Sequence, residues 1–174
     1  YVGIDISPEA AAIAQKYLDQ VIIADIEETD LAAEHGLKQN DFDLVLALDV
    51  LEHLRNPWDI LAELTNYLKP GGHIVASLPN IQNITIIQDL IGGKWQYQDA
   101  GILDATHLRF FTLDSAKKML TDAGLNIKSI ENVINPPLDL AKLKDYCNKY
   151  EKDNIAINNL SKNELLELFT YQYI

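Results

Sequence analysis

The sequence has little cysteine, no concentration of basic residues and no long apolar run. Cys147 is the sole cysteine among 174 residues, so no intrachain disulfide can form, and we expect a reducing compartment, the cytoplasm. Lys and Arg number 14 against 26 Asp and Glu, which gives a formal net charge of −12. Because nucleic acids and anionic membranes attract stripes of Lys and Arg, neither is an expected partner. No apolar run approaches the roughly 18 residues that indicate a membrane-spanning helix.

The stretch from Asp43 to Leu54 organises the predicted fold. Residues 44–48 carry no polar side chain, and the run stops at Asp49. An unbroken apolar run of this kind predicts a strand buried on both faces, as in a parallel sheet covered by helices. Alternating strand and helix patterns along the chain predict right-handed crossovers. We therefore expect a three-layer Rossmann-like α/β fold, with a mostly parallel sheet and helices on both faces.

The predicted domain organisation is one domain over residues 1–174. Residues 1–135 form its core, residues 136–165 are a polar helical insertion, and residues 166–174 are a last strand. The sequence opens inside an apolar strand at Tyr1 and closes on an apolar segment at Ile174. Natural domains usually have loose polar ends, so we expect this chain to be a piece of a longer protein.

Three successive predicted strands end in acids, namely Asp5, Asp25 and Asp49. Ligands of open α/β sheets bind at the carboxyl ends of the strands. A carboxylate there can accept hydrogen bonds from both hydroxyls of a ribose, and a second acid can accept an adenine amino proton. Ile6 and Ile26 would pack on the flat base. The alternative is that each acid merely caps a loop or a helix.

The order of several short motifs resembles class I S-adenosylmethionine-dependent methyltransferases, and the resemblance covers residues 1–135. Its nearest branch is the small-molecule group that includes ubiquinone-pathway O-methyltransferases. The motifs that carry it are Gly3-Ile-Asp-Ile-Ser7, Ala24-Asp25, Phe42-Asp-Leu-Val-Leu-Ala-Leu-Asp-Val-Leu-Glu-His-Leu54, Leu68-Lys-Pro-Gly-Gly-His-Ile-Val75 and Thr106-His-Leu-Arg-Phe-Phe-Thr112.

The resemblance implies a role for each matching residue. Asp5 would hold the ribose hydroxyls of S-adenosylmethionine, and Asp25 would meet the adenine amino group with the Ile26 amide nearby. Asp49 and Val50 would flank the methionine part. The family also begins with a strand and a Gly-x-Gly-x-Gly loop that this sequence does not contain. We therefore expect the first strand of the fold to be missing and this chain alone to bind the cofactor poorly.

The resemblance implies methyl transfer to a small-molecule acceptor, with oxygen as the expected nucleophile. An oxygen nucleophile needs a base, and a histidine of near-neutral pKa suits that role. His53 and His107 are the catalytic candidates. Alternatively, His53 packs at a helix start and His107 orients a loop. No ligand pair has the spacing of a zinc site, so no metal site is predicted.

Two other hypotheses remain open. A non-catalytic binding or assembly domain could keep the same fold, since the glycine loop is absent. A nicotinamide-dependent reductase is disfavoured because no Tyr has a Lys four residues later. The missing strand would also leave a sheet edge through which two copies of the chain could pair.

Overall fold

The computed structural model describes residues 1–136, 142–152 and 155–174. In chain order the elements are β1 (Val2–Asp5), α1 (Pro8–Ala14), β2 (Gln20–Ile23), α2 (Leu31–His35), β3 (Phe42–Leu48), a 3₁₀ turn (Leu51–His53), α3 (Pro57–Tyr67), β4 (Leu68–Pro79), α4 (Ile84–Ile91), α5 (Leu113–Asp122), β5 (Asn132–Ile134), α6 (Leu143–Asn148), β6 (Lys149–Lys152), β7 (Ile155–Asn158), α7 (Lys162–Phe169) and β8 (Thr170–Tyr173). Among the described helices, none combines the length and apolar character needed to cross a membrane.

The chain divides into two compact units. The first comprises Tyr1–Val45 and Arg55–Ile74, and the second comprises Leu46–Leu54 and Val75–Ile174. The single-domain organisation stays a prediction.

In the first unit β1 and β2 pair in parallel. The register places Asp5 opposite Ile23, and the Ala24 N–H continues the pairing by donating to the Asp5 carbonyl at 3.1 Å. Helix α1 connects the two strands, beginning where the Ser7 hydroxyl accepts from the Ala10 N–H and Pro8 occupies the first turn. This strand–helix–strand unit brings the carboxyl ends of β1 and β2 to the same edge.

Strand β3 lies at one end of a four-stranded sheet of order β3-β4-β8-β5. The prediction that its apolar run is buried on both faces is wrong. Ala47 is buried, but Leu44, Leu46 and Leu48 are 47%, 60% and 49% exposed. Alternate residues of a strand point to opposite faces, so these three leucines form a row on one face that no described element covers. We call them the leucine row.

The second unit is organised around β8, which pairs antiparallel with β4 and β5. Buried Asn80 donates to the carbonyls of Glu167 and Thr170, each at 2.9 Å. Buried Asn83 donates to Asn135 O at 2.6 Å and to Thr170 O at 3.0 Å. These amides satisfy carbonyls near the α7–β8 junction that would otherwise be buried without a partner.

Residues 136–165 differ from the predicted polar helical insertion. Residues 137–141 and 153–154 lie outside the described part of the chain. Helix α6 occupies Leu143–Asn148, whereas β6 (Lys149–Lys152) and β7 (Ile155–Asn158) pair antiparallel, so the prediction of helix is wrong for these two strands. The physical reason is local: Ile155 and Ile157 alternate with small or polar residues, and β-branched residues at a period of two favour a strand. Within the predicted last strand of residues 166–174, Thr170–Tyr173 form β8, but residues 166–169 belong to α7, so the strand prediction is wrong for those four residues.

Candidate functional site

Asp5 and Asp25 lie at the shared edge of the β1–β2 pair, as predicted from the sequence. Asp5 is exposed, and its Oδ1 accepts from the Ser7 N–H at 2.8 Å. Asp25 Oδ1 accepts from the Glu27 N–H at 2.9 Å. Each carboxylate is thereby fixed by the backbone two residues further on, which holds it at the end of its strand.

Arg55 occupies part of the edge beside Asp25. Its guanidinium lies 3.5 Å from Asp25 Oδ2 and donates to Glu27 at 3.1 Å and to Glu28 at 2.7 Å. Burial acts to raise the pKa of Glu27, but hydrogen bonds from the backbone N–H groups of Arg55 and Asn56 and from the Arg55 side chain lower it overall. The Asp25 carboxylate thus shares its lone pairs with a cation, whereas Asp5 has no ion pair among the described residues.

The apolar neighbours predicted to contact the base differ in exposure. Ile6 is exposed beside Asp5, and Ile26 is partly buried after Asp25. A cleft of about 510 Å³ in this unit is lined by Ile26 and Glu27 but not by Asp5 or Asp25, so it does not coincide with the predicted nucleoside edge.

Asp49 adopts an uncommon backbone conformation at the end of β3. Its φ is +53°, in the left-handed region that non-glycine residues seldom occupy. Ser77 Oγ accepts from the Asp49 N–H and donates to its Oδ1, both at 2.8 Å, and Gln172 donates to the same oxygen. Val50 follows as the first residue of the turn that carries His53. The strain is therefore offset by a side-chain network, and such strain is common at ligand sites.

Glu52 is a buried acid within this turn. Its side chain is only 1% exposed, and neither carboxylate oxygen has a hydrogen-bond partner among the described residues. Burial, with a smaller contribution from the nearby charge of Asp49, raises the pKa of Glu52 to about 7, although the backbone N–H of Glu52 itself acts to lower it. Its backbone carbonyl accepts from the N–H groups of Leu108 and Arg109 at 2.8 and 3.0 Å. The turn and the segment around residue 107 are joined at this point.

His53 is oriented by a hydrogen-bonded chain. Thr106 Oγ1 lies 2.6 Å from Asp104 Oδ1 and 3.1 Å from His53 Nδ1. A hydroxyl has one proton, and the Asp104 carboxylate can only accept it, so the hydroxyl accepts from His53 Nδ1–H. Hydrogen bonds from Thr106 also lower the pKa of Asp104. The neutral His53 ring then keeps its Nε2 lone pair.

His107 is oriented in the same way by a carbonyl. Its Nδ1 lies 3.0 Å from Ile102 O, which can only accept, so Nδ1 carries the proton and Nε2 the lone pair. The rings of His53 and His107 meet edge to face, with centroids 4.7 Å apart. The structure thus brings the two predicted catalytic histidines together.

Aromatic side chains continue from His107. Phe110 lies 6.4 Å from the His107 ring, and Trp95 lies 5.7 Å from Phe110. Tyr97 meets Trp95 edge to face at 6.4 Å. Trp95 and Tyr97 are exposed, whereas Phe111 is buried and belongs to the core. The rings of Trp95, Tyr97 and Phe110 form an aromatic surface next to the histidines.

Sequence reasoning did not assign Ser77, Asp104, Thr106 or Gln172 to the site. Such residues are hard to identify from the sequence, because the role of each side chain depends on the residue that it contacts in the folded chain. Glu52 had a clearer signal, since it stands between Leu51 and His53 directly after a strand end.

Comparison with known proteins identifies the class. The family model described as a methyltransferase domain matches residues 1–130, three quarters of the chain. The chain therefore belongs to the class I S-adenosylmethionine-dependent methyltransferase family, as its motifs predicted.

Individual relatives agree with this class. The chain is 26% identical over 137 residues to a ubiquinone biosynthesis O-methyltransferase of Burkholderia pseudomallei, covering 78% of this chain and 59% of that protein. A SAM-dependent methyltransferase structure from Archaeoglobus fulgidus superposes with a TM-score of 0.61 at 20% identity, covering 99% of this chain and 72% of that one. A structure of Burkholderia thailandensis 1,6-didemethyltoxoflavin-N1-methyltransferase, with bound 1,6-didemethyltoxoflavin and S-adenosylhomocysteine, superposes with a TM-score of 0.52 at 19% identity. The match covers 78% of this chain and 54% of that one.

These superpositions confirm the predicted Rossmann-like α/β fold. The chain spans under two thirds of the length of the curated relative from B. pseudomallei.

Proposed function

We propose that the protein containing this chain transfers a methyl group from S-adenosylmethionine to a hydroxyl of a small molecule. The observation that carries the acceptor side is the pair His53 and His107, whose rings meet at 4.7 Å with both Nδ1 atoms engaged. The O-methyltransferase named among the relatives supports oxygen as the nucleophile.

The residues at the β1–β2 edge fit an adenosine group. The exposed Asp5 carboxylate, held by Ser7, can accept from ribose hydroxyls, and exposed Ile6 beside it offers an apolar surface to the base. Asp25 and Ile26 are proposed for the adenine, with Arg55 competing for Asp25. Asp49 and Val50 are proposed for the methionine part. When bound, the cofactor supplies a methyl group on a positively charged sulfur, which leaves as a neutral thioether.

On the acceptor side, His107 or His53 accepts the hydroxyl proton at Nε2. Proton transfer by a positioned histidine contributes about 10²–10⁴-fold to a rate. The aromatic surface of Trp95, Tyr97 and Phe110 suits a flat acceptor, since aromatic groups gain from edge-to-face contact. A hydroxylated aromatic small molecule is therefore the acceptor class that we propose, with neither nucleic acid nor membrane involved.

Methyl transfer is tested with the full-length gene product and a panel of phenols and catechols. With S-adenosylmethionine labelled in its methyl group, we expect label on an acceptor oxygen and release of S-adenosylhomocysteine. Asp5→Asn should weaken cofactor binding by calorimetry, whereas Asp19→Asn, an exposed acid before β2, should not. If the full-length protein binds no S-adenosylmethionine at millimolar concentration, a non-catalytic binding domain becomes the better hypothesis.

Self-association through β3 is part of the same proposal. The leucine row is exposed on a strand that ends its sheet, and such edges favour pairing of chains. Sedimentation velocity should show a concentration-dependent oligomer that Leu46→Lys shifts toward monomer. An unchanged sedimentation profile would remove β3 as the contact.

A further inference from the structure

We propose that Arg55 is a positioning residue that orients the Asp25 carboxylate toward the adenine amino group and so makes the site prefer adenine to other purine bases. This role rests on the proposed function, which assigns Asp25 to the adenine. Both residues lie in the first unit, and the guanidinium Nη2 of Arg55 lies 3.5 Å from Asp25 Oδ2. Arg55 comes from a different segment of the chain, after the turn that carries His53.

The guanidinium of Arg55 is held by two acids. Its Nε donates to Glu27 Oε2 at 3.1 Å, and its Nη2 donates to Glu28 Oε1 at 2.7 Å. The Glu27 side chain is only 10% exposed and also accepts from the backbone N–H groups of Arg55 at 2.9 Å and Asn56 at 2.7 Å. A guanidinium presents its donors in a rigid planar fork, so two acceptors fix its plane. The protein itself therefore sets the position of the positive charge beside Asp25.

Asp25 is contacted at both of its carboxylate oxygens. Oδ1 accepts from the Glu27 N–H at 2.9 Å, and Oδ2 faces the Arg55 guanidinium at 3.5 Å. Because a carboxylate has about four lone-pair positions, two contacts limit its rotation and still leave positions for another donor. The Asp25 side chain is 37% exposed, so a ligand amino group can reach it.

Asp5 differs from Asp25 in this respect. Its Oδ1 also accepts from a backbone N–H two residues later, that of Ser7 at 2.8 Å, but Asp5 has no ion pair among the described residues. A ribose hydroxyl can donate or accept, so the acid proposed for the ribose needs little directional control. The cation instead lies beside the acid proposed for the base, where the direction of the hydrogen bond determines selectivity.

Selectivity follows from the chemistry of the two partners. A carboxylate oxygen can only accept, so it binds the adenine amino group but repels the carbonyl oxygen that hypoxanthine carries at the same ring position. A hydrogen bond to a charged group corresponds to a preference of about 10–100-fold. A carboxylate that turns away from the base would lose much of this preference.

The role is tested by calorimetry on the full-length gene product with S-adenosylhomocysteine and S-inosylhomocysteine, in which a carbonyl oxygen replaces the amino group. The measured quantity is the ratio of the two affinities. Arg55→Met removes the fork but keeps an unbranched side chain, and we expect the ratio to fall by about 5-fold or more, because Asp25 is then less well oriented. Lys69→Met, which removes an exposed cation paired with Asp43 at 2.7 Å, is the matched control and should keep the native ratio.

A native ratio in Arg55→Met would overturn the proposal, even if both ligands bound more weakly, since an equal loss for both indicates a purely structural role. Circular dichroism identifies a variant that has failed to fold. Arg55→Lys then provides the second test, because an ammonium lacks the planar fork, and a native ratio in that variant would also overturn the proposal.

Asp25→Asn tests the underlying assignment separately. An amide can donate to the hypoxanthine carbonyl as well as accept from the adenine amino group, so the ratio should approach one. An unchanged ratio in Asp25→Asn would contradict the adenine assignment in the proposed function and remove the role of Arg55 with it. Loss of the preference in Asp25→Asn but not in Arg55→Met would contradict the role of Arg55 alone.

Discussion

The His53 and His107 rings lie at an interplanar angle of 74° with their centroids 4.7 Å apart. One ring follows β3 directly, and the other comes from the loop before α5. The Glu52 carbonyl fixes their meeting by accepting the Leu108 and Arg109 N–H groups. This backbone oxygen therefore ties the turn that carries His53 to the segment that carries His107, and Thr106 and the Ile102 carbonyl then orient the two rings.

Thr106 should tune this pair without contacting the acceptor. Thr106→Val keeps the shape but removes the hydroxyl that links Asp104 to His53. Because this hydroxyl orients the His53 ring, we expect the methyl-transfer rate of the full-length protein to fall by about 10-fold or more, since misplacement of a positioned group by about 1 Å can cost about 100-fold. Thr106→Ser retains the hydroxyl and should stay close to native. Equal behaviour of the two variants would show that this hydrogen bond does not matter.

The stability of the fold should depend strongly on the two hydrogen bonds that the Asn80 side-chain amide donates. Asn80→Asp places a carboxylate against the carbonyls of Glu167 and Thr170, and each buried unsatisfied group costs about 1–3 kcal/mol. We expect a loss of about 3 kcal/mol or more in urea unfolding at pH 7, with partial recovery at acid pH, where the acid becomes a donor. Asn132→Asp, at an exposed position, should change stability by under about 0.5 kcal/mol. A similar cost at both positions would contradict the assigned role.

Glu27 should make stability depend on pH in the acid range. Its pKa is lowered in the folded state, so its contribution is present above its ordinary value of 4.5 and is lost as pH falls through the folded pKa. Glu27→Gln should cost about 1–3 kcal/mol in urea unfolding at neutral pH and progressively less below pH 4.5.

Glu28 provides the matched control for Glu27. Both acids pair with Arg55, but the Glu27 side chain is 10% exposed and the Glu28 side chain 66%. Glu28→Gln should therefore cost only about 0–1 kcal/mol. A cost for Glu27→Gln that does not diminish in acid would contradict the pKa argument.

Substitution of Asp49 by alanine and by glycine should measure the backbone strain at this position. At φ +53° an alanine is strained by about 1–2 kcal/mol and a glycine is not, so Asp49→Gly should be more stable than Asp49→Ala by about 1 kcal/mol. Asp43 lies in strand β3, where glycine should instead be less stable than alanine by about 0.5–1 kcal/mol. Urea unfolding of the four variants measures both differences, and the same sign at both positions would exclude strain at Asp49.

The sequence was most informative where local chemistry decides the structure. Ser7 with Pro8 and Asn56 with Pro57 mark the starts of α1 and α3 in the sequence itself, because a cap and a proline act within one turn. Asp5 and Asp25 were predicted to share an edge because a parallel crossover leaves little choice. The family could be identified from the residues alone, whereas the roles of the acids and of the two histidines stay predictions.

Other features depend on contacts between distant segments. The exposure of Leu46 could not be predicted, since an apolar run does not say which of its faces another element covers. The link from Asp104 through Thr106 to His53 joins residues far apart in the chain. The isolation of the Glu52 carboxylate likewise follows from packing, which a list of residue types does not specify.

The leucine row of β3 also affects how the chain behaves in the laboratory. Three branched aliphatic groups facing water should retain the chain on a phenyl matrix at moderate ammonium sulfate and promote precipitation as that salt increases. The net charge of −12 opposes this tendency at low ionic strength, where like-charged chains repel one another. Dilute buffer should therefore keep the chain dispersed, and strongly salting-out conditions should bring it out of solution early.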